Sequence, residues 1–170
     1  MNRWGMRPGA EQGFSLIEVM AVVAIMALAT AIAIPSYQAW YAKSKLKSSL
    51  LELNSNMNMA RTVAKNRNTT ITVTVALSNG RVRATFTTTA NTSAACLADS
   101  KTCAIETQVM PIEVTAVGGT TTFQFNSLGL RVGGGTANQA LQLMDRTGLT
   151  YEIQVTPAGR IRWCTTSPCP

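Results

Sequence analysis

The first residues in this sequence whose types and spacing could do chemistry are Gly13-Phe14-Ser15-Leu16-Ile17-Glu18, followed by an uncharged apolar run from Val19 to Ile34. The stretch from Phe14 to Ile34 is about 21 residues, or about 31 Å of helix, which is enough to cross a bilayer. A carboxylate placed in such a segment costs roughly 2.5–3.5 kcal/mol near the membrane centre and less near its edge, so Glu18 calls for a cationic partner. The order of features suggests where one could come from. A short polar leader, Met1 to Gly13, precedes the apolar run, whereas a secretory signal is cut after its apolar region. Cleavage after Gly13 would retain the hydrophobic helix and free an amine on Phe14, one helical turn from Glu18 in the same subunit or in a neighbour.

The second candidate lies near the C-terminus. Leu149, Tyr151, Ile153 and Val155 alternate with polar residues, and Pro157-Ala158-Gly159 suits a three-residue hairpin loop with Gly at the left-handed position. That loop pairs Thr156 with Arg160, Val155 with Ile161, Gln154 with Arg162 and Ile153 with Trp163. Arg160 and Arg162 then share the wet face, about 7 Å apart, near the spacing of successive phosphates on one strand of a nucleic acid. The competing reading is that Arg162 pairs diagonally with Glu152 and Arg160 is solvated. Trp163 falls on the inward face, where core packing outweighs base stacking.

Composition narrows the remaining classes. The chain has 170 residues, 15 Lys+Arg against 8 Asp+Glu, a net charge of +7 and no His. The missing His removes Ser-His-Asp and Cys-His catalysis and His-containing metal sites. With no clustered carboxylates and no phosphate-cradling Gly motif either, the expectation is a protein that is not an enzyme and holds no cofactor and no metal. The positive balance favours anionic partners, and Lys101, Arg131 and Arg146 are candidates to supplement the arginine pair. Cys96, Cys103, Cys164 and Cys169 allow three pairings. Local pairing, Cys96–Cys103 and Cys164–Cys169, closes two short loops and is the expected one; the rival is a zinc site built from all four thiolates, whose spacings do not match the usual close knuckles.

The elements that must position these residues follow from periodicity. Helix should continue past Pro35 with a kink. Leu46, Leu50, Leu53, Met57, Ala60 and Ala64 form a stripe for packing on a globular domain, with Lys43, Lys45 and Lys47 marking the emergence from the apolar segment and Asn66-Arg67-Asn68 its end. Beyond Asn68 the period becomes two. Ile71, Val73, Val75 and Leu77 alternate, Asn79-Gly80 turns the chain, and Val82, Ala84 and Phe86 face them in register. Thr87–Thr102 reads as a loop tied at its neck. Further strands are expected over Ile105–Val109, Ile112–Val117, Thr121–Asn126 and Gln139–Met144, with a flexible connection at Gly133-Gly134-Gly135. The fold class is α+β: a long N-terminal helix, first transmembrane and then amphipathic, packed on an antiparallel β-sandwich-like C-terminal domain. Its parts are a leader (1–13), a hydrophobic helix (14–39), an amphipathic continuation (40–68) and a β-rich domain (69–170).

The run Gly-Phe-Ser-Leu-Ile-Glu-Val, the apolar helix and Pro35 resemble the prepilin signal of type IV pilins and type II secretion pseudopilins. The ending Thr156-Pro157-Ala158-Gly159-Arg160-Ile161-Arg162-Trp163-Cys164 resembles the FimT/GspH branch of that superfamily. The resemblance implies cleavage after Gly13 and N-methylation of Phe14 by a prepilin peptidase, with Glu18 acting in assembly. It implies an inner-membrane, single-pass protein with a periplasmic globular domain that later joins a pilus or pseudopilus beside other pilins. It also implies DNA binding during natural transformation through Arg160 and Arg162, presented by Gly159. Two alternatives stay open: a GspH-like minor pseudopilin of type II secretion, and a minor pilin that primes assembly without binding DNA. The chain departs from many filament members in having no Gly between Phe14 and Gly80, where such a residue favours local unwinding.

Overall fold

The computed structural model describes residues 13–88 and 105–169. Helix α1 spans Leu16–Asn66 with Pro35 inside it. By its contacts the chain divides into a unit ending at Gln38 and a unit beginning at Ala39. In the first, the helix is apolar and exposed, and it is long and apolar enough to cross a membrane. In the second, Ala42, Leu46, Ser49, Leu50, Leu53, Met57, Ala60 and Ala64 are buried, at steps of three and four residues. That stripe is the face a 3.6-residue period sets against a core. Each fully buried Leu or Met contributes about 1.5–3 kcal/mol, offset by lost conformational freedom. The helix closes on Asn68, whose φ of 51° is left-handed. The amide of Thr69 donates to the Ala64 carbonyl and that of Asn68 to the Lys65 carbonyl, the paired bonds of a Schellman ending.

Nine strands follow among the described residues: β1 (Ile71–Ser78), β2 (Arg81–Thr88), β3 (Gln108–Val109), β4 (Val114–Gly119), β5 (Thr122–Phe125), β6 (Arg131–Val132), β7 (Gln139–Asp145), β8 (Thr150–Val155) and β9 (Ile161–Cys164). They form a five-stranded sheet, β3-β2-β1-β5-β6, and a four-stranded sheet, β4-β7-β8-β9, and all their pairings are antiparallel. Helix residues Leu46 to Ala64 and the inward residues of both sheets share one core. The α+β sandwich with a helix laid on it is the architecture the periodicity predicted.

The first hairpin has the expected register, Leu77↔Val82, Val75↔Ala84 and Val73↔Phe86, with Asn79 and Gly80 both at positive φ. Leu77, at the tip, is nevertheless 58% exposed. Phe123, Phe125, Leu141 and Leu143 are buried as their alternation requires.

Four expectations need correction. The strand expected over Ile105–Val109 is only Gln108–Val109, and Ile112 and Glu113 form a turn closed by the Val114 amide on the Pro111 carbonyl. Gly133–Gly135, expected as a loose connection, closes around the Arg131 guanidinium, whose Nη2 donates to the carbonyls of Gly135 (3.1 Å) and Ala137 (2.6 Å). Arg131 itself, expected at the surface, is 6% exposed and so is no candidate for contacting an anion. Cys96, Cys103 and Lys101 lie outside the described residues.

Candidate nucleic-acid interface

The β8–β9 hairpin is organised by its turn. The Thr156 amide donates to the Arg160 carbonyl (3.0 Å) and the Gly159 amide to the Thr156 carbonyl (2.9 Å). The Thr156 hydroxyl accepts from the Arg160 amide at 3.1 Å. Gly159 has a φ of 75°, a conformation costly for any residue with a Cβ. From this turn the ladder runs Val155↔Ile161, Gln154↔Arg162, Ile153↔Trp163 and Glu152↔Cys164. Tyr151, Ile153 and Val155 are buried, and Ile161 and Trp163 pack partly buried against the core. Arg160 and Arg162 are exposed, as strand alternation from those core positions requires.

The two guanidiniums differ in their surroundings. The Arg160 side chain has no bonded partner among the described residues. Arg162 donates from Nη2 to the Gln154 Oε1 directly across the ladder, at 2.8 Å. Glu152, the acid weighed as a partner for Arg162, is 2% exposed and accepts hydrogen bonds from other groups. Cys164 and Cys169 form a disulfide, which removes two of the four thiolates that the zinc alternative required. Arg146 is exposed in the β7–β8 turn.

Sequence reasoning missed the residue that holds the turn in place. Arg61 of α1 donates from Nε to the Gly129 carbonyl (2.7 Å) and from Nη2 to the Ala158 carbonyl (3.1 Å). The Arg131 amide adds a bond to the Pro157 carbonyl at 3.1 Å. One guanidinium therefore ties the helix, the β5–β6 loop and the arginine-bearing turn together. The available signal was a cation on the flank of the buried stripe, between Ala60 and Ala64. Arg61→Ala is expected to lower stability by about 1–3 kcal/mol, because it removes two charge-assisted bonds to backbone carbonyls. Arg61→Lys should recover little, since an ammonium lacks the fork that spans both acceptors. Urea denaturation checks this, and an unchanged midpoint for Arg61→Ala would remove the clamp from the account.

The family model described as type II transport protein GspH matches residues 51–159, well over half of the chain. The chain belongs to the GspH family. A second model, the prokaryotic N-terminal methylation motif, matches residues 9–34 of this GspH-family chain, a range that contains Gly13, Phe14 and Glu18. Two fimbrial proteins of Pseudomonas aeruginosa are each 44% identical over 46 residues, 27% of this chain. The chain spans 30% of the length of those curated relatives. In fold it is similar to the type IV minor pilin FimU of Pseudomonas aeruginosa in two crystal forms. One aligns with a TM-score of 0.54 at 16% identity, covering 75% of this chain and 94% of FimU. The other aligns with a TM-score of 0.52 at 18% identity, covering 73% and 96%. The two family matches and the fold place this GspH-family chain in the type IV pilin and pseudopilin superfamily.

Proposed function

We propose that this chain is a minor pilin of a type IV pilus that binds DNA without sequence preference through Arg160 and Arg162. In this reading a prepilin peptidase cuts after Gly13 and methylates Phe14, and the helix from Phe14 anchors the protein in the inner membrane with its β-rich domain in the periplasm. Assembly with other pilins then carries the arginine pair into the filament. The N-terminal methylation match and the exposed apolar helix support the anchoring. The observation that carries the DNA reading is the hairpin register, which sets two arginines on one exposed face while Glu152 is engaged elsewhere. Phosphate contacts of this kind carry no sequence information, which suits uptake of arbitrary DNA. Two contacts bind weakly, so useful retention needs many subunits or further cations such as Arg146.

The full chain in non-ionic detergent is expected to bind duplex DNA at about micromolar Kd or weaker, with affinity falling as salt rises. Replacing Arg160 and Arg162 together with Ala should reduce the slope of log K against log salt by about 2. A double variant that titrates like the parent by fluorescence anisotropy defeats the assignment. The GspH match favours a second reading, a minor pseudopilin of a type II secretion system. Loss of the gene separates the two: transformation or piliation fails under the first, and protein secretion under the second.

A further inference from the structure

The outer face of the four-stranded sheet holds a carboxylate that strand alternation alone would leave wet. Glu152 lies between the inward residues Tyr151 and Ile153, yet it is 2% exposed. The end of the chain covers it. Ser167 Oγ donates to its Oε2 at 2.7 Å and the Cys169 amide to its Oε1 at 3.2 Å. Gln142 Nε2 donates to Oε2 at 3.4 Å and to Ser167 Oγ at 2.6 Å. The disulfide anchors this cover, because Cys164 sits directly opposite Glu152 in the ladder and returns the chain through Cys169.

Arg162 shares that face one pair further along, opposite Gln154 and diagonal to Glu152. Diagonal neighbours lie about 7–8 Å apart at Cα, within reach of long side chains. Without the tail, Glu152 would be the nearest acid on this face of the hairpin for Arg162 to pair with. With it, neutral donors occupy both carboxylate oxygens and Arg162 turns to a neutral amide. We propose that the Cys164–Cys169 loop is a latch that withholds Glu152 from Arg162 and so keeps that guanidinium available to an incoming phosphate. The proposal takes its ligand from the DNA-binding reading above. An arginine already neutralised by an internal carboxylate releases no net counterion when a phosphate displaces that carboxylate, so the latch decides whether Arg162 counts in the salt dependence.

The test compares three full-length proteins in detergent micelles: the parent, Cys164→Ser with Cys169→Ser, and that double variant carrying Glu152→Gln. Random-sequence duplex DNA is titrated across a salt series. The slope should fall by about 1 in the double variant and return with Glu152→Gln. A loss that Glu152→Gln does not restore marks the loop as merely structural and overturns the proposal, as does an unchanged slope. A second readout needs no DNA. The Arg162 guanidinium resonance should respond to Glu152→Gln in the background lacking Cys164 and Cys169 and not in the parent. If no protein binds DNA but this response appears, the latch stands and the DNA reading falls; if neither appears, both fall. Should the cysteine variant unfold, Ser167→Ala with Gln142→Ala removes two of the three donors with the crosslink intact, and the same two readouts decide.

Discussion

Gly159→Ala is expected to destabilise the β-rich domain by about 3–4 kcal/mol, the largest stability effect of any single substitution considered for the arginine-bearing turn. Two costs combine. A φ of 75° asks about 1–2 kcal/mol of any L-residue with a Cβ. The new methyl would also overlap the Gly129 carbonyl oxygen and lie 3.0 Å from Arg61 Nε. Neither side is free to retreat. Gly129 is tied by its amide to the Asn126 carbonyl (2.8 Å), and the Arg131 amide holds the Pro157 carbonyl (3.1 Å). Relief requires parting the β5–β6 loop from the turn, which breaks the Arg61 clamp and adds its loss to the total. Gly148 is the matched control: it has a φ of 84° in the neighbouring β7–β8 turn, with open space where its Cβ would point. Gly148→Ala should cost only the conformational part, about 1–2 kcal/mol. Urea midpoints of the two variants decide the matter, and equal losses would refute the close approach of turn and loop. Because that turn sets the position of Arg160, Gly159→Ala should also flatten the salt dependence of DNA binding at denaturant-free conditions.

What could be read from the sequence was what local chemistry specifies. The Asn79-Gly80 turn fixes a two-residue loop, and alternation on both sides leaves one register that buries Val73, Val75, Val82, Ala84 and Phe86. Pro157-Ala158-Gly159 does the same for the last hairpin. The stripe from Leu46 to Ala64 needs only the helical period. Several of the features that escaped depend on segments far apart in the chain. Besides its sequence neighbour β6, β5 pairs with β1, across three intervening strands of the chain, and nothing local to Thr122–Phe125 encodes that choice. β6 is two residues long and too short to show a period. Arg131 looks like a surface cation until the carbonyls of Gly135 and Ala137 fold over it. Arg61 reaches a carbonyl 97 positions away. Glu152 obeys alternation in its direction and violates it in its burial, because the covering layer is the tail and not another strand.

Glu18→Ala is expected to leave the protein in the inner membrane and to remove it from sheared filaments, a near-complete loss of incorporation. Ser15 caps the start of the helix, with its carbonyl accepting from the amides of Glu18 (3.0 Å) and Val19 (3.2 Å). The carboxylate therefore projects within the first turn of α1, where helix geometry favours negative charge. Around it, Phe14, Leu16, Ile17 and the residues from Val19 onward present exposed apolar side chains, so lipid or neighbouring helices must cover them. In that setting an unpaired carboxylate costs roughly 2.5–3.5 kcal/mol at full depth, and a neighbour's freed Phe14 ammonium offsets that cost only if the two helices sit at one relative height. In the assembly proposed above, the pair would act on register more than on affinity: it would penalise staggered packing of helices that are otherwise uniformly apolar and would slide. Alanine removes the penalty and with it the selection of a single stagger, while the hydrophobic anchoring stays intact. N-terminal sequencing of the membrane fraction should begin at Phe14 in both parent and variant, which separates failed assembly from failed cleavage. Immunoblots of sheared fibres then give the result. Equal incorporation of the Ala variant would show that apolar packing alone sets the stagger and that Glu18 has no part in assembly.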